Sequence, residues 1–406
     1  MVGVYGHPGE VPFLFASLQE LTRLVATAGG TVARELTCEL RRAHPGTFIG
    51  KGKIEQIHQL LQEESFGLVV FNDEITPTQN RNLEKIWGVR VIDRTGLILD
   101  IFARRARTQE GKLQVELAQL KYLLPRLVGQ GVALSRLGGG IGTRGPGETK
   151  LEVDRRRARE KIERLQLELK KVRAHRQLHR QKRSRTPIPL VSMVGYTNAG
   201  KSTLMNALTK AGVLVEDKLF ATLDPTVRTL KLPSGREVLL ADTVGFVDKL
   251  PHELVEAFKA TFEEMASAQL LLHVIDGSHP CADQQVATVE GVLQDLEMAA
   301  KPVLRVINKM DQGAVRLTSR RHDLMISALQ KEGLKPLLVA IETQLSGPLK
   351  YVKLLVPHQL GAQISSLYRT ARVLKREDRA SGVYLEVEMD EKNYNTLKKY
   401  RFPKHA

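Results

Sequence analysis

The octapeptide GYTNAGKS, Gly195 to Ser202, constrains this chain more than any other stretch. It follows the β-type run Ile188 to Val194 and precedes the helical run Thr203 to Lys210, so it joins a strand to a helix. In that context it is a P-loop. Backbone amides at the helix N-terminus cradle the α- and β-phosphates, Lys201 reaches the β- and γ-phosphates, and the Ser202 hydroxyl meets Mg²⁺. The expected nucleotide contacts are Gly195, Tyr196, Thr197, Asn198, Ala199, Gly200, Lys201, Ser202 and Thr203.

Three further elements follow in the order a guanine-nucleotide switch requires. DTVG, Asp242, Thr243, Val244 and Gly245, ends the β-type run Val238 to Ala241. Asp242 can hold magnesium through water, and the Gly245 amide can meet the γ-phosphate. NKMD, Asn308, Lys309, Met310 and Asp311, ends the run Val303 to Ile307. Asp311 can accept from N1–H and the exocyclic amine of guanine, a donor pair adenine lacks. Ser327, Ala328 and Leu329 are expected at guanine O6. Each tetrapeptide alone is weak, whereas the ordered set, each at a strand end, is specific.

Between the P-loop and DTVG lies FATLDPTVR, with Phe220, Ala221, Thr222, Leu223 and Asp224 expected near the nucleotide. Thr222 and Thr226 both qualify as the threonine completing the magnesium shell. Gly245 is followed by Phe246 where many such switches carry a water-orienting glutamine, which predicts basal turnover on the order of 10⁻⁴ to 10⁻² per second and a partner that accelerates it. Asn198, fourth in GxxNxGKS, marks GTPases in which K⁺ bridges the phosphates; the alternative is that it only hydrogen-bonds the loop.

Composition decides what surrounds this core. The 406-residue chain carries a net charge of +16, and the segment 103–186 alone carries +15. A basic block between near-neutral segments is the footprint of a polyanion contact, with nucleic acid the first candidate and a solvated helical face the alternative. Aromatic residues are sparse there, which favours phosphate contacts over base stacking. Cys38 and Cys281 form no CxxC pair, a usage that fits a reducing compartment. The N-terminus lacks the pattern of a leader, and apolar runs fall far short of the roughly 20 residues of a membrane helix, so a cytoplasmic chain is expected. His175 and His179 stand four apart without a third ligand in sight, and no metal-binding histidine is assigned.

Four parts are expected along the chain. Residues 1–104 alternate β-type and helical runs, predicting a small α/β domain with a largely parallel sheet: a helix from about Pro12 to Ala28, a β-type run at Thr31 to Leu36, a helix opened by Gly52 and Lys53, a strand at Leu68 to Asn72, a helix at Pro77 to Trp87 and a strand at Val89 to Ile92. Residues 105–186 carry Leu113, Leu117, Leu120, Leu124 and Leu127, then Ile162, Leu165, Leu169 and Val172, at helical spacing. The Gly-rich stretch 135–150 separates them, so a basic antiparallel helical hairpin is expected, with His179 to Pro189 as a polar linker. Residues 187–347 form the P-loop domain, where the stripe Leu254, Phe258, Phe262 and Met265 is expected to pack on the sheet. Residues 348–406 read as strand (Tyr351 to Val356), helix (Leu360 to Ala371), strand (Gly382 to Met389) and helix (Glu391 to Tyr400), a small α/β domain without a recognised motif.

Together FIGKGK (Phe48 to Lys53), RTGLILDIFARRART (Arg94 to Thr108), GGGIGTRGPGETKLEVDRRR (Gly138 to Arg157), FATLDPT and DTVGFVDKLPHELVEAF closely resemble the HflX family of translational GTPases, over about residues 40 to 345. The resemblance implies an α/β fold: a P-loop GTPase (Ras-like G domain) preceded by a small α/β domain with a long helical hairpin and followed by a small α/β domain. It selects Thr222 as the magnesium ligand beside Ser202, with Asp242 through water, and gives Lys201, Thr222 and Gly245 the catalytic roles. It implies a Mg²⁺-dependent GTPase that cycles between GTP and GDP, binds the 50S ribosomal subunit and splits stalled or idle 70S ribosomes, often under stress. Contact with rRNA then falls on Arg136, Arg144, Lys150, Arg155, Arg156 and Arg157. The chain is expected to act as a monomer. The rival reading is a ribosome-maturation or tRNA-modification-linked GTPase acting on a free subunit or tRNA.

Overall fold

The computed structural model describes residues 1–127, 150–184, 188–209, 219–220, 226–249, 262, 265–313, 317–318, 320, 322–346, 350–389 and 391–402. The chain divides into two compact units: Met1–Gln177 with Lys218–Asp224 and Asp248–Ala260, and Leu178–Asp217 with Pro225–Val247 and Thr261–Ala406.

The first unit is built on a four-stranded parallel sheet, β1 (Val2–Tyr5), β2 (Leu36–Glu39), β3 (Leu68–Phe71) and β4 (Arg90–Asp93), in the order β2-β1-β3-β4. The β-type run expected at Thr31 to Leu36 is a correction: β1 pairs from Val2↔Leu36 to Tyr5↔Glu39, so the strand begins where the expected one ends. Pairing to β1, rather than β-propensity, fixes its position. Helices α1 (Val11–Thr27), α2 (Lys51–Glu63), α3 (Pro77–Trp87) and α4 (Arg94–Arg105) complete the layers. Local signals set α3: Thr76 and Gln79 form a capping box, Pro77 opens the first turn, and Gly88 closes the helix at φ 69°. Phe71 and Trp87 stack with ring centroids 6.2 Å apart inside the core that Val2, Ile54, Ile57 and Leu83 share.

Two further helices pack together. Helix α5 (Gln109–Leu123) and the 3₁₀ turn Leu124–Leu127 follow α4, and α6 runs from Lys150 to Ser184. Leu113 and Leu117 bury against Leu165 and Leu169, and Lys161 pairs with Glu116 at 2.6 Å. The linker expected from His179 is corrected, because the helix continues to Ser184. Arg, Lys, Gln and Leu are good helix formers, and the first breaker is Pro187. The C-terminal end of α5 and the turn after it are fastened by the fully buried Asp93. Its Oδ1 accepts from the Tyr122 hydroxyl at 2.8 Å and the Gly96 amide at 2.9 Å, while Oδ2 accepts from Arg126 at 3.0 Å.

The second unit carries a six-stranded sheet in the order β10-β9-β8-β5-β7-β6. Its strands are β5 (Leu190–Val194), β6 (Thr226–Lys231), β7 (Glu237–Asp242), β8 (Leu270–Asp276), β9 (Val303–Asn308) and β10 (Leu324–Met325). Only β6 pairs antiparallel among them. Central β8 is buried at every position, as a parallel strand covered on both faces must be. Helices α7 (Lys201–Thr209), α8 (Ala282–Asp295) and α9 (Leu334–Ser346) belong to this fold. Phe262 and Met265 of the expected stripe are buried; Leu254 and Phe258 lie outside the described residues.

A three-stranded antiparallel sheet follows, β11 (Lys350–Val356), β12 (Arg372–Arg379) and β13 (Gly382–Met389), ordered β11-β13-β12. Helices α10 (Gly361–Thr370) and α11 (Glu391–Leu397) bury its apolar face. Strand β12 is absent from the expected pattern because RVLKREDR reads as a charged, solvated run. It is an edge strand, and charge on an edge blunts pairing with other chains. Among the described residues no helix is long and apolar enough to cross a membrane.

Candidate functional site

The P-loop leaves the buried strand β5 and enters α7 at Lys201. Glycine is required twice. At Gly195 (φ 153°) a Cβ would stand 2.2 Å from the Val274 carbonyl oxygen, and at Gly200 (φ 93°) one would stand 2.2 Å from Asn308 Nδ2. Asn198 adopts the left-handed φ of 60° and is exposed at the loop's crest, while Tyr196, Thr197 and Ala199 are buried. Lys201 is buried and donates to the Gly195 and Tyr196 carbonyls at 3.1 and 2.8 Å. Burial pulls its ammonium down to about 8, with Asp242 alone opposing the shift. A cation held poorly solvated in this way gains most when an anionic phosphate arrives.

Ser202, on the first turn of α7, donates its hydroxyl to Asp242 Oδ2 at 2.7 Å, and Thr203 follows it half-buried. A hydroxyl and a buried carboxylate converging at a helix N-terminus form the oxygen-only donor set that Mg²⁺ prefers. Thr243 is fixed by its hydroxyl on the Met193 carbonyl at 2.6 Å, and Val244 is buried. Gly245 approaches so closely that a Cβ there would meet Thr197 Cα at 2.8 Å and Lys201 Nζ at 2.9 Å. The Thr197 amide donates to the Phe246 carbonyl at 2.7 Å and the Phe246 amide to the Gly195 carbonyl at 3.1 Å, so the segment after DTVG is laced along the P-loop. The Phe246 ring is 1% exposed and stacks on Phe262 at 5.7 Å, so it is part of the core and cannot orient water. Thr226 opens β6 directly across from Asp242. Ala221, Thr222, Leu223 and Asp224 lie outside the described residues. Phe220, within the first unit, is buried edge-on against Phe102 at 4.5 Å.

Where guanine is expected, Asn308 ties two loops together. Its Nδ2 donates to the Ala199 carbonyl at 2.9 Å, and its Oδ1 accepts from the Ala328 amide at 3.0 Å. The amide expected to face guanine O6 is thus engaged by Asn308 in this structure. Ser327 donates its hydroxyl to Asp311 Oδ1 at 2.6 Å, and the Gln330 amide donates to Ser327 Oγ at 3.1 Å. Asp311 therefore keeps one oxygen oriented before any base binds. The Met310 amide reaches the Ile326 carbonyl at 3.2 Å, and Leu329 stands 71% exposed beside the pocket. The sequence reading passed over Asp276, which pairs with Lys309 at 2.7 Å; its only signal was a carboxylate ending a buried strand just before Gly277 and Ser278.

Of the residues expected to meet RNA, Arg155, Arg156 and Arg157 lie together in the first turns of α6, with Arg156 and Arg157 exposed. Lys150 starts that helix, its side chain outside the described residues, as are Arg136 and Arg144.

Family models match nearly the whole chain: GTP-binding GTPase N-terminal over residues 16–103, GTP-binding GTPase Middle Region over 105–183, 50S ribosome-binding GTPase over 190–309, and HflX C-terminal domain over 314–402. The last match extends the resemblance into the C-terminal segment, where the sequence reading found no motif. The chain is 52% identical to the GTPase HflX of Caldanaerobacter subterraneus subsp. tengcongensis, over 92% of this chain and 87% of that protein. It is 48% identical to that of Lacrimispora saccharolytica, over 91% and 88%, and 44% identical to that of Escherichia coli, over 92% and 89%.

Proposed function

The chain belongs to the HflX family of GTPases, a GTP-binding and GTP-hydrolysing family, and on that premise we propose that it binds the large (50S) ribosomal subunit and splits stalled or idle 70S ribosomes. The observation that carries the proposal is the concentration of charge: +15 in residues 103–186, joined to a nucleotide switch. The family model over residues 190–309 is described as a 50S ribosome-binding GTPase, which supports the same partner. In this reading Arg155, Arg156 and Arg157, with Lys150, Arg136 and Arg144, contact rRNA phosphates, and the protein works as a monomer in the cytoplasm.

The nucleotide site then acts as the timer. Lys201 and the P-loop amides hold the phosphates, Ser202 and Thr222 with Asp242 through water hold Mg²⁺, and Asp311 selects guanine. Bound Mg²⁺ neutralises charge on the β- and γ-phosphates. GTP fixes the segments around Thr222 and Gly245 in the ribosome-binding arrangement, and hydrolysis releases it. Coupling is reciprocal, so the ribosome must tighten GTP by the factor by which GTP tightens the ribosome. With Phe246 in the core, the water-orienting group comes from elsewhere, and the ribosome stimulates a slow basal rate. Asn198 would help hold a K⁺ ion, which would supply further positive charge to the site.

Light scattering of vacant 70S ribosomes tests the reading. Scattering falls on adding the protein with a non-hydrolysable GTP analogue and holds with GDP. Unchanged scattering in both states, together with binding to free subunits or tRNA, would transfer the protein to the maturation or modification reading. Equal hydrolysis rates in Na⁺ and K⁺ would remove the potassium site.

A further inference from the structure

Strand β8 ends on Asp276, and both oxygens of its carboxylate are in use. Oδ1 accepts from the Ser278 amide at 3.1 Å and from the Ser278 hydroxyl at 2.6 Å, while Oδ2 holds the Lys309 ammonium at 2.7 Å. The Gly277 amide donates to the Asn308 carbonyl at 3.0 Å. The turn after β8 and the turn carrying NKMD are thus tied by backbone and by ion pair. The pair is largely covered, with side-chain exposures of 20% for Lys309 and 12% for Asp276. Lys309 itself is held at φ 64°, a left-handed conformation costly for a lysine, and such strain persists only where the surroundings over-determine it. On either side of it, Asn308 is bonded to Ala199 and Ala328, and Asp311 to Ser327.

A lysine side chain has four rotatable bonds, and a ligand that packs on its stem must otherwise freeze them on binding. Here the ammonium is anchored before the ligand arrives. We propose that Asp276 is a positioning residue for guanine binding: braced by Ser278, it holds the Lys309 side chain extended beside the pocket formed by Asn308 and Asp311. The inference rests on the assignment of 308–311 to the guanine base.

The test is a double-mutant cycle on the full chain, reading the dissociation rate of a fluorescent GDP. Asp276→Asn keeps the size and the Ser278 contacts but removes the charge, and it should speed dissociation about tenfold for GDP and GTP alike. Lys309→Met should do the same or more, and the double variant should be no worse than Lys309→Met alone. The preference for GDP over inosine diphosphate should hold in Asp276→Asn, because Asp311 reads the exocyclic amine. Full addition of the two single effects, or an unchanged rate in Asp276→Asn, would overturn the proposal. Should Asp276→Asn fail to fold, Ser278→Ala replaces it in the cycle, with a smaller effect that must likewise vanish on the Lys309→Met background. Wild-type protein without preference for GDP over xanthosine diphosphate would instead sink the base-pocket assignment, and the proposal with it.

Discussion

Raising the pH should loosen nucleotide binding through one buried lysine. In the free protein, burial holds Lys201 at about 8. Diphosphate beside it restores a partner and should return it towards the ordinary lysine range near about 10.4. Linkage then fixes the sign. Below pH 8 both states are protonated and affinity is level; between the two values the complex keeps a proton that the free protein has lost, so binding takes up a proton and weakens as pH rises. For these values the dissociation constant of GDP should rise about 30-fold between about pH 7 and 9.5, roughly 2 kcal/mol. The same shift works on folding with the opposite sign. Unfolded Lys201 binds its proton up to a higher pH than folded Lys201, so its contribution to the stability of the nucleotide-free protein should improve as pH rises from about 8 to 10. Calorimetric titration of GDP at about pH 9 in two buffers of different ionisation enthalpy measures the uptake directly. Uptake approaching one proton per GDP, lost in Lys201→Met, is the expected result. Proton-neutral binding at that pH would refute the reasoning.

Other expectations follow from single contacts. Gly200→Ala combines a left-handed φ of 93° with a Cβ 2.2 Å from Asn308 Nδ2, so it should break the bond to Ala199 and cost about 2–4 kcal/mol of GDP affinity, read by equilibrium titration. Phe246→Gln should not restore fast hydrolysis, because the side chain points into the core against Phe262; single-turnover rates should stay at or below wild type while the urea midpoint falls, the burial of an amide costing about 3–5 kcal/mol. Asp93→Asn leaves the 12%-exposed Arg126 without its counter-charge and should destabilise the first unit by about 3–5 kcal/mol. Trp87, the chain's single tryptophan, is buried in that unit and reports its unfolding by fluorescence.

What the sequence made legible has a physical pattern. Elements with local instructions appear where expected: Pro77 to Trp87 carries its own cap, first-turn proline and closing glycine, and the strands beneath GYTNAGKS, DTVG and NKMD end at their motifs. Elements defined by partners are displaced from the expected pattern or absent from it. Strand β2 starts at Leu36 because β1 pairs it there, and β12 is a strand only because β13 completes it. Helix α6 overran its expected end because a charged linker and a solvated helix share one composition. At the site, the P-loop residues are written in one contiguous motif, Gly195 to Ser202, whereas the Asp276–Lys309 pair joins two strand ends 33 positions apart and becomes visible only when β8 and β9 lie side by side. The engagement of the Ala328 amide by Asn308 is of the same kind.

The central claim is that GTP commits this protein to the large ribosomal subunit. Sedimentation of purified 50S subunits with the protein, in parallel gradients holding a non-hydrolysable GTP analogue or GDP at fixed salt, tests it most directly. The protein should travel with 50S in the analogue gradient and stay at the top with GDP, and neutralising Arg155, Arg156 and Arg157 should flatten the salt dependence of that association. Protein that remains at the top of both gradients would contradict it.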